Sequence, residues 1–223
     1  MSPIKKSLPY YIQLYHEMKR MIYQQELPPG ERVNESKLSK DLGVSRSPIR
    51  EAMRLLEKDG LVIDDESAGF IVYTFKSADV KHIYQIRSAL ESLAVQLLIE
   101  QATAAERIGI GNLLEDIDDH IHKNDTDPKI IDMNQQFHEM IAAGSQNPYL
   151  VKQLHSIKVL TYYFRVLNFE GAGRACRIQQ EHRAIYEKIE QSDGAGAAYE
   201  MQKHLAQDLQ HLQRVINKDD SGV

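Results

Sequence analysis

Apolar positions recur at helical spacing through the first quarter of the chain, then change period, then return to helical spacing for the rest. Tyr11, Tyr15, Met18 and Ile22 mark one face of a helix over residues 10–26, and Pro28-Pro29-Gly30 stops it. Leu38 and Leu42 share a face of a short second helix over 35–42, and Gly43-Val44 makes the turn that follows. A third helix starts near Ser45 or Ser47, either of which suits an N-cap, and Pro48 is tolerated in its first turn. It runs to Lys58, and Gly60 closes it. Two short β-prone stretches follow, Leu61-Val62-Ile63 and Phe70-Ile71-Val72-Tyr73, and the polar tip DDESAG between them predicts a hairpin. From Ser77 onward the pattern predicts helices over 77–101, 103–122, 127–144, 147–168, 172–191 and 194–216. The tail from Lys218 to Val223 is expected to fray.

Length and composition narrow the class. A chain of 223 residues suits two domains, one of them large enough to bury its own core. Hydrophobic residues make up 42% and charged residues 26%, as in ordinary globular proteins. No apolar run approaches the roughly 18 residues that span a bilayer. The opening MSPIKKSLPYYIQ has two lysines but no apolar core, so no secretory signal is expected. Cys176 is the single cysteine and cannot close an internal disulfide, which makes the cytoplasm the expected compartment. The net charge of −5 conceals a division. Residues 1–54 carry 10 Lys and Arg against 6 Asp and Glu, whereas residues 75–223 carry 16 against 21. A basic stretch joined to an acidic one confines phosphate attraction to one part of the protein.

The third helix carries the sharpest chemistry. Arg46, Arg50 and Arg54 recur at i, i+4 and i+8 and share a face, while Ile49, Ala52, Met53 and Leu56 form the opposite one. An apolar back and an arginine front suit a helix lying in a DNA major groove, where an arginine binds guanine through two hydrogen bonds. Ser45 and Ser47 can donate to phosphates. The plain alternative is a solvated amphipathic helix, against which stand the short helix before it, the glycine turn and the hairpin after it. The stretch PPGERVNESKLSKDLGVSRSPIREAMRLLEKDGLV resembles the DNA-binding signature of the GntR family. That resemblance implies a winged helix-turn-helix, expected over residues 1–75. It implies that Arg46 and Arg50 read bases and phosphates, that Arg32 and Lys37 face the DNA backbone, and that Gly69 sits at the wing tip near the minor groove. Asp64-Asp65-Glu66 departs from what a DNA-contacting wing would carry.

The remainder holds polar residues in apolar stripes. Val80, Ile83, Leu90, Ala94 and Leu97 form a stripe on the first long helix, and Arg87 lies within it. A guanidinium in a bundle needs an anion, either Glu91 one turn on or an acidic ligand. His138 lies between Phe137 and Ile141, His182 falls among Ile178, Ile185 and Ile189, and His204 lies near Met201 and Leu205. A single core histidine is usually structural, but bundle interiors are where side chains from facing helices converge on metals. The segments IRSALESLAVQLL, NQQFHEMIAAGSQNPYL and EHRAIYEKIEQSDGAGAAYEMQKHL resemble the FCD domain of the FadR-type branch of the family. That resemblance implies an all-helical domain over 76–218 with a site of one Asp and three His. His138, His182 and His204 match it, and the Asp position falls on Asn134. Imidazole suits zinc first and nickel second as the divalent ion.

The expected fold is mainly α, a winged helix-turn-helix followed by a helical bundle. The expected function is a DNA-binding transcription regulator, a repressor by family habit, acting as a homodimer on double-stranded operator DNA. Its effector is expected to be a small carboxylic acid held between the metal and Arg87. Two alternatives stand beside it: a sensor for which the metal itself is the signal, and a metalloenzyme. No HExxH motif or matched base accompanies the histidines, so an enzyme is not expected.

Overall fold

Leu14, Met18 and Ile22 are all buried on one side of the first helix, and they meet Ile49, Ala52, Met53 and Leu56 on the third. These contacts organise the first of two units in the computed structural model, which describes residues 8–219; the readings of the extreme N-terminus and of the tail beyond Asp219 lie outside them. The first unit ends at Phe75 and the second begins at Lys76. In the first, α1 is Tyr10–Tyr23, α2 Glu35–Leu42, α3 Arg46–Lys58, and β1 (Val62–Asp65) pairs antiparallel with β2 (Gly69–Val72), Val62 opposite Val72. Asn34 caps α2 by accepting from the Lys37 amide at 2.9 Å. Gly43 adopts φ +65 and turns the chain toward α3.

Three details differ from the sequence expectation. Helix α1 stops at Tyr23 rather than 26. Ser45 stands at the N-cap of α3 but its side chain makes no capping bond. The hairpin also gains a third rung from residues 30–33: the Val33 amide donates to the Phe70 carbonyl at 2.8 Å and the Val72 amide to the Glu31 carbonyl at 3.0 Å. That stretch is too short and too polar for its alternation to be read.

In the second unit α4 is Ser77–Gln101, α5 Ala104–Lys123, α6 Lys129–Gly144, α7 Pro148–Ser156, α8 Lys158–Asn168, α9 Arg174–Glu190 and α10 Gly194–Asp219. Helix α4 packs on α10 and α6, α10 on α9, and α5 on α6 and α9. Phe137, Phe164, Ile185, Met201 and Leu205 are among the side chains at the centre. The segment 147–168, expected as one helix, breaks at Ile157, where φ is −107 and ψ 4. Ser156 Oγ donates back to the Gln153 carbonyl at 2.7 Å as α7 ends. No proline or glycine marks the break, so periodicity runs through it unseen.

The stripe on α4 is also rotated. Val80 and Ala94 are buried as expected, but Ile83, Leu90 and Leu97 are only half-buried, and Tyr84, Glu91, Val95 and Leu98 take the interior. No helix among the described residues is long and apolar enough to cross a membrane.

Candidate functional site

The arginine face of α3 is presented to solvent. Arg46, Arg50 and Arg54 are exposed, as are Ser45, Ser47, Arg32 and Lys37. Arg50 Nε lies 3.3 Å from Glu35 Oε1, so one of the expected DNA readers already has an anionic neighbour on α2. Gly69 opens β2 with φ +77, a conformation that favours glycine, and no atom crowds its Cα.

The acidic wing has a local explanation for one of its three carboxylates. Asp65 Oδ1 accepts from the Ser67 amide at 2.9 Å, from Ser67 Oγ at 2.6 Å and from the Ala68 amide at 2.8 Å. The Ser67 hydroxyl and those amides hold its carboxyl below the usual range. Asp65 therefore staples the turn, while Asp64 and Glu66 remain exposed. Counted to Phe75, the first unit carries 11 cationic and 11 acidic side chains. Placement of the arginines, rather than a net positive charge, is what suits this face to DNA.

The second unit draws its histidines together. His138 comes from α6, His182 from α9 and His204 from α10, and their ligand atoms lie within 4.8 Å of one another. The ring centroids are 4.7–5.4 Å apart. All three rings are buried, and Nε2 of each has no hydrogen-bond partner. His138 Nδ1 lies 2.5 Å from Glu91 Oε2, and His204 Nδ1 lies 2.7 Å from Glu181 Oε2. A carboxylate on the far nitrogen orients an imidazole and raises its basicity as a ligand. Asn134 is buried on α6 one turn before His138. The orphaned Nε2 atoms and the carboxylate backing fit a divalent cation. Burial pushes His182 well below its ordinary pKa, and pushes His138 down to about 3 against the pull of Glu91. Burial also works to raise the Glu91 carboxyl, but Arg87 and His138 hold it well below the usual range.

Arg87 meets its expected neighbour and still has capacity left. Its Nε donates to Glu91 Oε1 at 2.7 Å, while both terminal nitrogens are buried without a hydrogen-bond partner. Its guanidinium lies 4.7 Å from the Tyr84 ring centroid. Beside it the structure reveals Arg165, which the sequence reading missed. Arg165 is 4% exposed, donates to Gln135 Oε1 at 2.8 Å, and is lowered to about 10 by burial and by Arg87. A cavity of about 220 Å³ is lined by residues that include Glu91, His138, His155, Lys158, Thr161 and Arg165. Arg87 is not among the lining residues. Of the two wall cations, Lys158 is paired with Glu139 at 2.7 Å, and Arg165 is the buried one; both lie on α8 beyond the break.

Comparison with known proteins follows this division. Residues 10–72 match the family model described as "Bacterial regulatory proteins, gntR family", and residues 82–207 match the model of the FCD domain. The uncharacterized HTH-type transcriptional regulator YdhC of Bacillus subtilis (strain 168) is 41% identical over 96% of this chain and 96% of its own length. The Nta operon transcriptional regulator of Aminobacter aminovorans is 27% identical, over 85% of this chain and 90% of that protein. Among solved structures, E. coli McbR/YncC superposes with a TM-score of 0.74 at 21% identity, covering 93% of this chain and 99% of that one. At that identity the likeness speaks for the fold alone.

Proposed function

The chain belongs to the gntR family of bacterial regulatory proteins and carries an FCD domain, and from that premise we propose a homodimeric repressor whose hold on operator DNA is set by a small carboxylic acid bound beside a divalent metal. DNA binding, transcription regulation and a helical domain that takes an effector come with the family, whose members here are regulators and not enzymes. The metal, the acid and the residues that hold them are the finer reading. His138, His182 and His204 hold the cation, zinc before nickel, with the Asn134 amide one turn away as a neutral donor. When bound, the cation supplies open positions for ligand oxygens.

One observation carries the reading: His138, whose Nε2 is buried and unpartnered, lines the same cavity as the buried guanidinium of Arg165. A carboxylate entering that cavity meets the forked donor of Arg165 and, in His138, one member of the histidine centre. The unpartnered terminal nitrogens of Arg87, behind Glu91, add positive potential from deeper in the bundle. A cavity of this volume, with His138, Thr161 and Arg165 set among the apolar walls of Ala142, Val151 and Leu154, suits a compact acid such as a hydroxy acid, a di- or tricarboxylate or a sugar acid better than a long acyl chain.

On the DNA side Arg46 and Arg50 meet base edges and phosphates, Ser45, Ser47, Arg32 and Lys37 meet the backbone, and Gly69 lets the wing tip approach the minor groove. Pairing of two copies is supported by the second face of α4. Ile83, Ile86, Leu90, Leu93 and Leu97 recur there at heptad-like spacing, with Ile86 and Leu93 exposed.

The test is a thermal-shift screen of organic acids on zinc-loaded protein, repeated with Arg165→Gln and Arg87→Ala. Carboxylates are expected to stabilise the wild type and to lose most of that effect in Arg165→Gln. Hits confined to neutral or cationic compounds would sink the carboxylate reading. Elemental analysis of protein purified without nickel resin or chelator tests the metal directly; protein that neither contains nor takes up zinc would return the histidines to a packing role.

A further inference from the structure

Two carboxylates flank His204. Its Nδ1 lies 2.7 Å from Glu181 Oε2 and its Nε2 lies 3.6 Å from Asp208 Oδ2. A carboxylate only accepts, so the short contact places the ring proton on Nδ1 and leaves a lone pair on Nε2. That lone pair faces a carboxylate oxygen where His204 is 1% exposed and Asp208 5%. Two acceptors repel across such a gap; a cation between them turns the repulsion into ligation. Ligands sharing a cation at bonds of about 2.1 Å sit roughly 3.0–3.4 Å apart, a few tenths of an ångström less than the gap observed.

The carboxylate is held for this task. Asp208 Oδ1 receives Arg174 Nη2 at 2.5 Å, and Asn168 also bonds the carboxylate. Arg174 is itself buried and donates to Asn168 Oδ1 at 3.2 Å. The pair fixes the rotation of Asp208 and leaves Oδ2 turned toward His204. Three imidazoles and an amide bring no charge to a divalent ion in a buried site, whereas a carboxylate does. Glu181 and Glu91 are engaged on the far nitrogens of His204 and His138.

We propose that Asp208, reaching in from α10 one turn beyond His204, is the anionic oxygen ligand of the metal centre, a role the amide of Asn134 cannot fill. The proposal rests on reading His138, His182 and His204 as a metal site. His204 belongs to both clusters of potential ligands, His138–His182–His204 and Glu181–His204–Asp208, and so joins the carboxylate to the other two imidazoles. Arg174 is then a positioning residue.

Zinc affinity of the full chain, stripped with chelator and titrated against a competing chelator, decides the matter. Asp208→Asn is expected to weaken zinc binding by about tenfold or more, Asn134→Ala to weaken it less, since it removes a neutral donor and not a charge, and the double variant Asp208→Asn with Asn134→Asp to recover part of the loss. Cobalt-loaded protein gives a second readout. Its visible ligand-field bands are expected to change in Asp208→Asn, a change a purely structural role for Asp208 would not produce. Wild-type affinity in Asp208→Asn, alongside loss in His182→Ala, would overturn the proposal while leaving the metal site standing. A wild-type protein that takes up no zinc would remove both. Should Asp208→Asn not fold, Asp208→Glu carries the decision: cobalt bands altered by the longer carboxylate support Asp208 as a ligand, and bands identical to wild type overturn it.

Discussion

Arg50 is not idle before DNA arrives. Its Nε rests 3.3 Å from Glu35 Oε1, with the arginine side chain 61% exposed. A solvent-exposed pair of this kind is worth about 0–1 kcal/mol, and a bidentate arginine–guanine contact about 1–3 kcal/mol, so the exchange favours DNA. Arg46→Ala and Arg50→Ala are each expected to weaken binding to a cognate palindrome by roughly tenfold or more, with the melting temperature unchanged. Fluorescence anisotropy at fixed salt measures it, and wild-type affinity in both variants would mean that α3 is not the reading helix. The buried histidines give a second residue-scale expectation. An unfolded chain returns His138 to a pKa near 6.5, whereas burial, opposed by Glu91, holds it at about 3 in the fold. The folded state therefore binds fewer protons, and stability is fully present above pH 6.5 and is lost as pH falls toward 3. By pH 5 the loss of stability through His138 is about 2 kcal/mol, with His182 acting in the same direction. Chelator-stripped protein should melt progressively lower from pH 7 to pH 5, and His138→Gln should flatten that slope; a slope unaltered by the variant would show that His138 is charged in the fold. His138, His182 and His204 were legible because each interrupts an apolar stripe. Arg165, Arg174, Glu181 and Asp208 were not, because charged residues on amphipathic helices read as a solvated face. Their partners are remote as well: Arg174 and Asp208 stand 34 positions apart, and Glu91 and His138 stand 47.

Element boundaries were read well where side-chain chemistry marks them and poorly where only packing does. Gly43 and Gly60, both at positive φ, close α2 and α3 where they were expected to. Ile157 announces nothing, yet the break there turns α8 so that Lys158, Thr161 and Arg165 line the cavity with His138. The α4 stripe shows a different limit. With Ile or Leu on nearly every face, its hydrophobic period is weak, and the interior is set by Tyr84, Arg87, Glu91, Val95 and Leu98. What was read as the buried stripe is partly the other face, the one with Ile86 and Leu93 exposed. If that face joins two copies, Leu93→Glu buries a charge against its own symmetry mate in an isologous contact. Sedimentation equilibrium should then show monomer for Leu93→Glu under conditions where the wild type is dimeric, with near-UV circular dichroism unchanged. A dimer undiminished by the substitution would move the interface elsewhere.

At the scale of the whole molecule the question is how a ligand in one unit alters the hold of the other on DNA. The ligand need not touch the reading helices; it need only bind one arrangement of the dimer better than another. The size of that preference is the coupling free energy, typically about 1–3 kcal/mol, or roughly 5–150-fold in operator affinity. Thermodynamic linkage makes the factor reciprocal. If a carboxylate weakens operator binding by some factor, operator DNA weakens carboxylate binding by the same one. Two titrations on zinc-loaded protein therefore test one quantity twice: operator affinity by anisotropy with and without saturating acid, and acid affinity by calorimetry with and without saturating operator. Agreement of the two factors is expected in the wild type. In Arg165→Gln acid affinity should fall both with and without operator, because on the proposed reading the variant removes a wall contact to the acid, while the two factors should still agree with each other. In Arg46→Ala the acid affinity without DNA should be untouched, since that side chain lies in the other unit. An operator affinity that responds to zinc alone, with no further change on adding any acid, would make the metal itself the signal and retire the carboxylate as effector.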